Sequence, residues 1–171
     1  MQHDVRLIAP ADAAPLADLL VRNRAWLAPW DPARPDSYFT EGGQRAEIDG
    51  CLRRRGRGEM LPLVITTDDV VVGRLNVNSI VRGAFESGTL GYWVAEESAG
   101  HGAATTAVGL AARMAFDGLG LHRLEAGTLP HNARSQRVLE KSGFERYGYA
   151  PRYLRIAGDW QDHVLFQRLA D

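Results

Sequence analysis

The chain is 171 residues long, a single-domain length, and its 45% hydrophobic and 24% charged residues exclude disorder and fibrous repeats. A formal charge of −1 gives no electrostatic footing for nonspecific nucleic-acid binding, and no apolar run approaches the roughly eighteen residues of a membrane span. One cysteine, Cys51, excludes an internal disulfide or a cysteine metal cluster, and MQHDVRLIAP lacks the apolar stretch of a signal peptide, so the cytoplasm is the expected compartment.

Residues 5–8 alternate and predict a short strand. Asp12 is placed to cap a helix running to about Arg24, with Leu16, Leu19, Leu20 and Val21 on one side. In residues 26–40, WLAPWDPARPDSYFT, Pro29, Pro32 and Pro35 forbid a long helix, and Trp30, Tyr38 and Phe39 need a surface to pack on. Residues 44–57 are helix-like, with Arg53, Arg54, Arg55 and Arg57 as a solvated face. Strands follow over 61–66, 70–80 and 89–94. Their connections, at Asp68–Asp69 and around residues 83–88, are too short for crossovers and predict an antiparallel meander.

A glycine-containing loop, 96–102, then leads into helical periodicity over 103–118, ended by Gly118 and Gly120. Residues 123–129 predict a strand. Asn132 caps a second helix over 133–142, closed by Gly143. Two strands, about 144–156 and 161–169, flank a turn at Gly158–Asp159. The sum is an α/β domain with a mixed sheet, in which only the strand–helix–strand unit between Gly91 and Leu129 demands parallel pairing.

Strand, small-residue loop and helix in that order make an anion site, because backbone amides at a helix N-terminus have no intrahelical partner. Gly100, Gly102, Ala103 and Ala104 leave those amides uncovered, although glycine and alanine equally permit a tight turn and close helix packing. Neither the phosphate-loop nor the dinucleotide glycine pattern is present, so a nucleotide-binding regulator lacks its motif.

Gly100-His101-Gly102-Ala103-Ala104 after GYWV resembles the pyrophosphate loop of the GNAT superfamily of acetyl-CoA-dependent N-acetyltransferases, Arg/Gln-x-x-Gly-x-Gly/Ala, with Ala99 standing where the pattern has a polar residue. LHRLEAGTLPHNARSQRVLEKSGF, with Asn132 and Ser135 in Asn-x-x-Ser, is similar to the ribosomal-protein alanine acetyltransferases of RimJ/RimL type. NRAWLAPWDPARPDSYFT resembles the acceptor-side segment of the RimJ subgroup. Together they cover most of the chain in the family's order.

The resemblance implies one GNAT domain over residues 1–171, a mostly antiparallel sheet splayed at two central parallel strands, with flanking helices. It implies direct acetyl transfer from acetyl-CoA to a primary amine, with no metal. Trp93, Val94, Gly100, His101, Gly102, Ala103, Ala104, Thr105 and Asn132 would hold the cofactor. A backbone amide near Val94 would polarise the thioester carbonyl, and Ser135 would hydrogen-bond the departing sulfur. Trp30, Asp31 and Tyr38 would line the acceptor side. Locally, Asn132 and Ser135 read equally as an N-cap and a polar helix position.

No residue stands out as a general base; the candidates are Asp31, Glu86, and Asp162 with His163. A weak base suffices for an α-amine, whose pKa of about 7.7–8.0 against about 10.4 for lysine spares roughly 3.4 kcal/mol of deprotonation cost. The expected acceptor is therefore a protein or peptide N-terminus, such as that of a ribosomal protein, with neither nucleic acid nor membrane as partner and a monomer or homodimer as the assembly. A small amine, a lysine, or a non-catalytic acyl-CoA-binding module on the same fold are the alternatives.

Overall fold

The computed structural model describes residues 1–170. Its strands are β1 (His3–Leu7), β2 (Leu61–Thr67), β3 (Val70–Val81), β4 (Ser87–Val94), β5 (Arg123–Thr128), β6 (Glu145–Ile156) and β7 (Asp159–Leu169). Its helices are α1 (Ala13–Arg22), α2 (Arg24–Leu27), α3 (Glu41–Gly56), α4 (Ala103–Arg113) and α5 (Ala133–Lys141). The strands form one open sheet in the order β1–β2–β3–β4–β5–β7–β6, antiparallel throughout except between β4 and β5.

Helices cover both faces, so β2, paired on both sides by β1 and β3, is buried along nearly its whole length. Its Leu63 and Ile65 join Ala107, Ala111 and Leu139 of α4 and α5 in the larger core, while Val64 turns to Leu16 and Ile48 of α1 and α3. Alternation along a strand makes this division. Each fully buried leucine or isoleucine contributes about 2 kcal/mol.

The sequence placed these elements in order, and the differences have local causes. Asp12 precedes α1 without capping it, because its carboxylate accepts from Arg6 and from the Ala9 N–H instead. The expected helix to Arg24 breaks at Asn23, whose side chain bonds the Leu19 carbonyl and the Glu96 N–H, and Val21 is 58% exposed. The aromatic segment contains α2 and a 3-10 turn, Asp36–Phe39, ahead of α3. That helix starts at Glu41, earlier than residue 44, because the Thr40 hydroxyl caps it by accepting from Gly43 N–H. Residues Met114–Gly118 continue α4 as a π-helical turn. The last hairpin turns at Ala157 and Gly158, both with positive φ, so β7 starts at Asp159. Among the described residues, no helix is long and apolar enough to cross a membrane.

Candidate active site

The parallel ladder between β4 and β5 lasts three pairs, Ser87–Arg123, Gly88–Leu124 and Thr89–Glu125. Beyond it, Leu90–Val94 pair only with β3, and Ala126–Thr128 only with β7. The two halves of the sheet therefore splay apart. Backbone direction along β4 follows from its two ends: the Ala95 N–H donates to the Val72 carbonyl at 2.8 Å, and the Glu86 carbonyl accepts from the His122 and Arg123 N–H groups. Odd-numbered residues thus address β3, and even-numbered ones address the β5 side. Tyr92 and Val94 turn their N–H and C=O groups into the split, where the Val94 carbonyl accepts from the Trp26 indole N–H at 3.2 Å. Trp93 faces the other way. Its backbone pairs with Arg74 of β3, and its ring packs against the α1–α3 core, so of the residues at the end of β4 it is Tyr92 and Val94 whose backbone groups face the split.

On the α4–α5 side, the Tyr92 hydroxyl lies 2.8 Å from the Ser135 Oγ and 3.2 Å from the Ser135 carbonyl, bridging β4 to α5. Burial pushes the Tyr92 phenol up to about 12, against a smaller lowering from the Ser135 hydrogen bond. Asn132 is the N-cap of α5, its Oδ1 accepting from the Ser135 N–H at 3.1 Å.

The loop into α4 carries Gly100 at φ +82° and Gly102 at φ +93°. Gly102 is the N-cap and has no side chain to satisfy the first-turn amides, unlike Asn132 on α5. A Cβ built at Gly100 meets nothing within 4 Å, so its approach is open. From β1, His3 ties the loop down: Nδ1 lies 2.9 Å from the Thr67 hydroxyl, and Nε2 donates to the His101 carbonyl at 2.9 Å. His101, Gly102, Ala103, Ala104 and Thr105 thus form one open helix start, with Ala103 buried and the side chain of His101 exposed.

On the opposite, α1–α3 face the aromatic segment crosses the mouth of the split. The Arg134 guanidinium lies 5.1 Å over the Trp26 ring, and Trp30 and His131 have ring centroids 5.4 Å apart. Asp31 pairs with Arg34 at 3.1 Å, and its carbonyl accepts from the Ala157 N–H of the last hairpin. An open crevice of about 290 Å³ lies between this segment and that hairpin, lined by Asp31, Arg34, Tyr38, Phe39 and Ala157 among others. Burial raises the Tyr38 phenol, partly offset by Arg34. Trp30 stands outside the crevice. Glu86 is bound to Arg82 and the Gly83 N–H, at the closed end of the β4–β5 ladder and eight residues, about 25 Å, from Val94.

A family model described as "Acetyltransferase (GNAT) domain" matches residues 4–145. The chain belongs to the GNAT acetyltransferase family. This GNAT chain is 36% identical over 163 residues to the [ribosomal protein uS5]-alanine N-acetyltransferase of Escherichia coli K12, covering 94% of this chain and 84% of that one. Its fold is similar to ribosomal-protein-S5-alanine acetyltransferase from Vibrio fischeri, with a TM-score of 0.94, 32% identity, and coverage of 100% and 94%. It is equally similar to Mycobacterium smegmatis RimJ in complex with CoA-disulfide, with a TM-score of 0.95, 32% identity, and coverage of 98% and 82%. The RimJ/RimL-type resemblance and the splayed mixed sheet are thereby established.

Three residues of this GNAT site escaped sequence reasoning: Tyr92, Trp26 and His3. Strand alternation at GYWV carried a signal for Tyr92, since every second residue of β4 shares its face. No local signal marks His3 or Trp26, whose partners lie 98 and 68 positions away.

Proposed function

We propose that this GNAT enzyme uses acetyl-CoA to acetylate the N-terminal α-amine of a protein, and that the protein is ribosomal, as the names of the Escherichia coli and Vibrio fischeri relatives have it. The three-pair β4–β5 ladder carries the proposal, because it leaves backbone groups of Tyr92 and Val94 facing an open wedge beside an uncapped helix start. That arrangement fits the cofactor: unpaired amides at residues 100–105 suit a diphosphate, and an extended arm can take the edge that β4 offers. Acetyl-CoA would supply an activated thioester. In this reading the Val94 N–H polarises its carbonyl, a kind of contact worth roughly 3–4 kcal/mol. Asn132 keeps its Nδ2 for the cofactor while its Oδ1 caps α5. Ser135 donates to the departing sulfur, and Tyr92, which stays protonated, backs the serine hydroxyl. Asp31 and Tyr38 would line the acceptor side, where an open crevice suits a peptide better than a small amine, and Trp30 would flank it from its contact with His131.

The test incubates the chain and acetyl-CoA with peptides beginning in alanine or serine, an Nα-blocked lysine peptide, and a polyamine, and locates the acetyl group by mass spectrometry. Acetyl on the free α-amine is expected. Acetylation confined to lysine or polyamine overturns the acceptor assignment.

A further inference from the structure

We infer that His163 is the general base of this acetyl transfer, taking a proton from the acceptor ammonium through Nε2; the inference rests on the acetyltransferase reading above. His163 is 3% exposed in β7, a position where an imidazole has to be held by specific partners. Its Nδ1 lies 3.0 Å from the Gln161 carbonyl. A carbonyl only accepts, so Nδ1 carries the ring proton and Nε2 keeps its lone pair. Nε2 has no partner among the described residues and is not sealed from solvent.

The ring's position is fixed from two sides. Tyr153 of β6 meets it edge-on, with centroids 5.6 Å apart. Beneath it lies Gly127 of β5, where a Cβ would come within 3.4 Å of the His163 Cδ2. Gly127 is two residues past the last β4–β5 pair, on the wall of the split. It pairs with Leu165, so His163, two residues from Leu165, shares its face. Through the Thr89–Glu125 pair that face is also the face of Trp93, opposite the one bearing Tyr92 and Ser135. A base on one face and a hydrogen-bond donor on the other suit direct transfer between an amine and a thioester arriving from opposite sides.

Neighbouring charges are committed elsewhere. Glu125, on the same face, is held by Arg123 and the Tyr147 hydroxyl. Asp162 accepts from the Tyr149 hydroxyl and the Arg152 N–H, bonds that hold its carboxyl below the usual range and make it a poor base. Asp31 is paired with Arg34. In the step, one ammonium proton passes to Nε2, and the freed lone pair forms the C–N bond as the C–S bond breaks. The nitrogen's second proton is matched by the one the sulfur gains, and the imidazolium releases its proton to solvent.

His163→Asn retains a donor for the Gln161 carbonyl and removes the base. Turnover of an alanine-start peptide at pH 7 is expected to fall about 100-fold, with coenzyme A affinity and melting temperature unchanged. The residual rate should climb about tenfold per pH unit towards the α-amine pKa near 8, while wild type rises less. Turnover within threefold of wild type, with wild type active, overturns the base alone; a wild type that acetylates no peptide overturns the functional reading and the base with it. Long-range ¹H–¹⁵N NMR of the wild-type protein, which does not depend on turnover or on the variant folding, should show the Nδ1–H tautomer; an Nε2–H tautomer overturns the inference.

Discussion

Removing one oxygen, in Tyr92→Phe, tests whether Ser135 acts alone or as half of a pair. The phenol makes contacts at 2.8 and 3.2 Å to the Ser135 Oγ and carbonyl, and the phenyl ring of the variant keeps its packing against the core. The expected stability loss is that of one net hydrogen bond, about 1 kcal/mol, which lowers Tm by about 2–4 °C. The catalytic loss should be larger. In the proposed role Ser135 donates to a sulfur gaining negative charge, and a hydrogen bond supporting such a donor is worth roughly 1.5 kcal/mol, or about tenfold in kcat. Thiol release from acetyl-CoA at saturating alanine-start peptide measures kcat, and calorimetry measures the coenzyme A Kd, expected to stay within about twofold. Ser135→Ala should cost more, and Tyr92→Phe in that background should add less than about twofold, because the two hydroxyls act through one chain. With the phenol pushed up to about 12, no Tyr92 ionisation should appear between about pH 6 and 10. An unchanged kcat in Tyr92→Phe, or losses that multiply in the double variant, would refute the pairing.

Gly102→Glu should abolish measurable coenzyme A binding, since it puts a carboxylate at the helix start and a side chain at φ +93°; near-normal affinity by calorimetry would rule out the loop as the diphosphate site. Burial alone would raise the Asp12 carboxyl, but hydrogen bonds from Arg6 and the Ala9 N–H outweigh it and hold the carboxyl below its usual range. A lowered folded pKa stabilises fully above the unfolded value, near 4, and the contribution disappears as pH falls through the folded value. Asp12→Ala should therefore lose about 2 kcal/mol at pH 7, about 6 °C in Tm, and the gap to wild type should narrow as pH falls below the unfolded value. A gap that stays constant in acid melts would contradict the ion-pair account.

The chain by itself determined the order of strands and helices, the single parallel pair, and the open helix start at residues 100–105. Each of these is written locally, in periods of two and 3.6 residues, in turn residues, and in side chains small enough to leave amides bare. Capping at Asn132 was legible for the same reason, since a cap and its amide are three residues apart. Asp12 shows the limit of that logic. Its residue type suits a cap, yet an arginine on β1 offered a stronger partner.

Only the tertiary structure decided which face each site residue takes and what it meets there. Tyr92 and Trp93 are adjacent and both aromatic, and a one-residue difference in phase sends one to Ser135 and the other into the opposite core. Glu86 and His163 stood together as base candidates, and the sheet separated them, putting one at the far end of β4 and the other over Gly127 beside the split. The physical reason is that a strand's identity is fixed by its own side chains, whereas its register, its neighbours and the place where two strands part are settled by contacts between segments far apart in the chain.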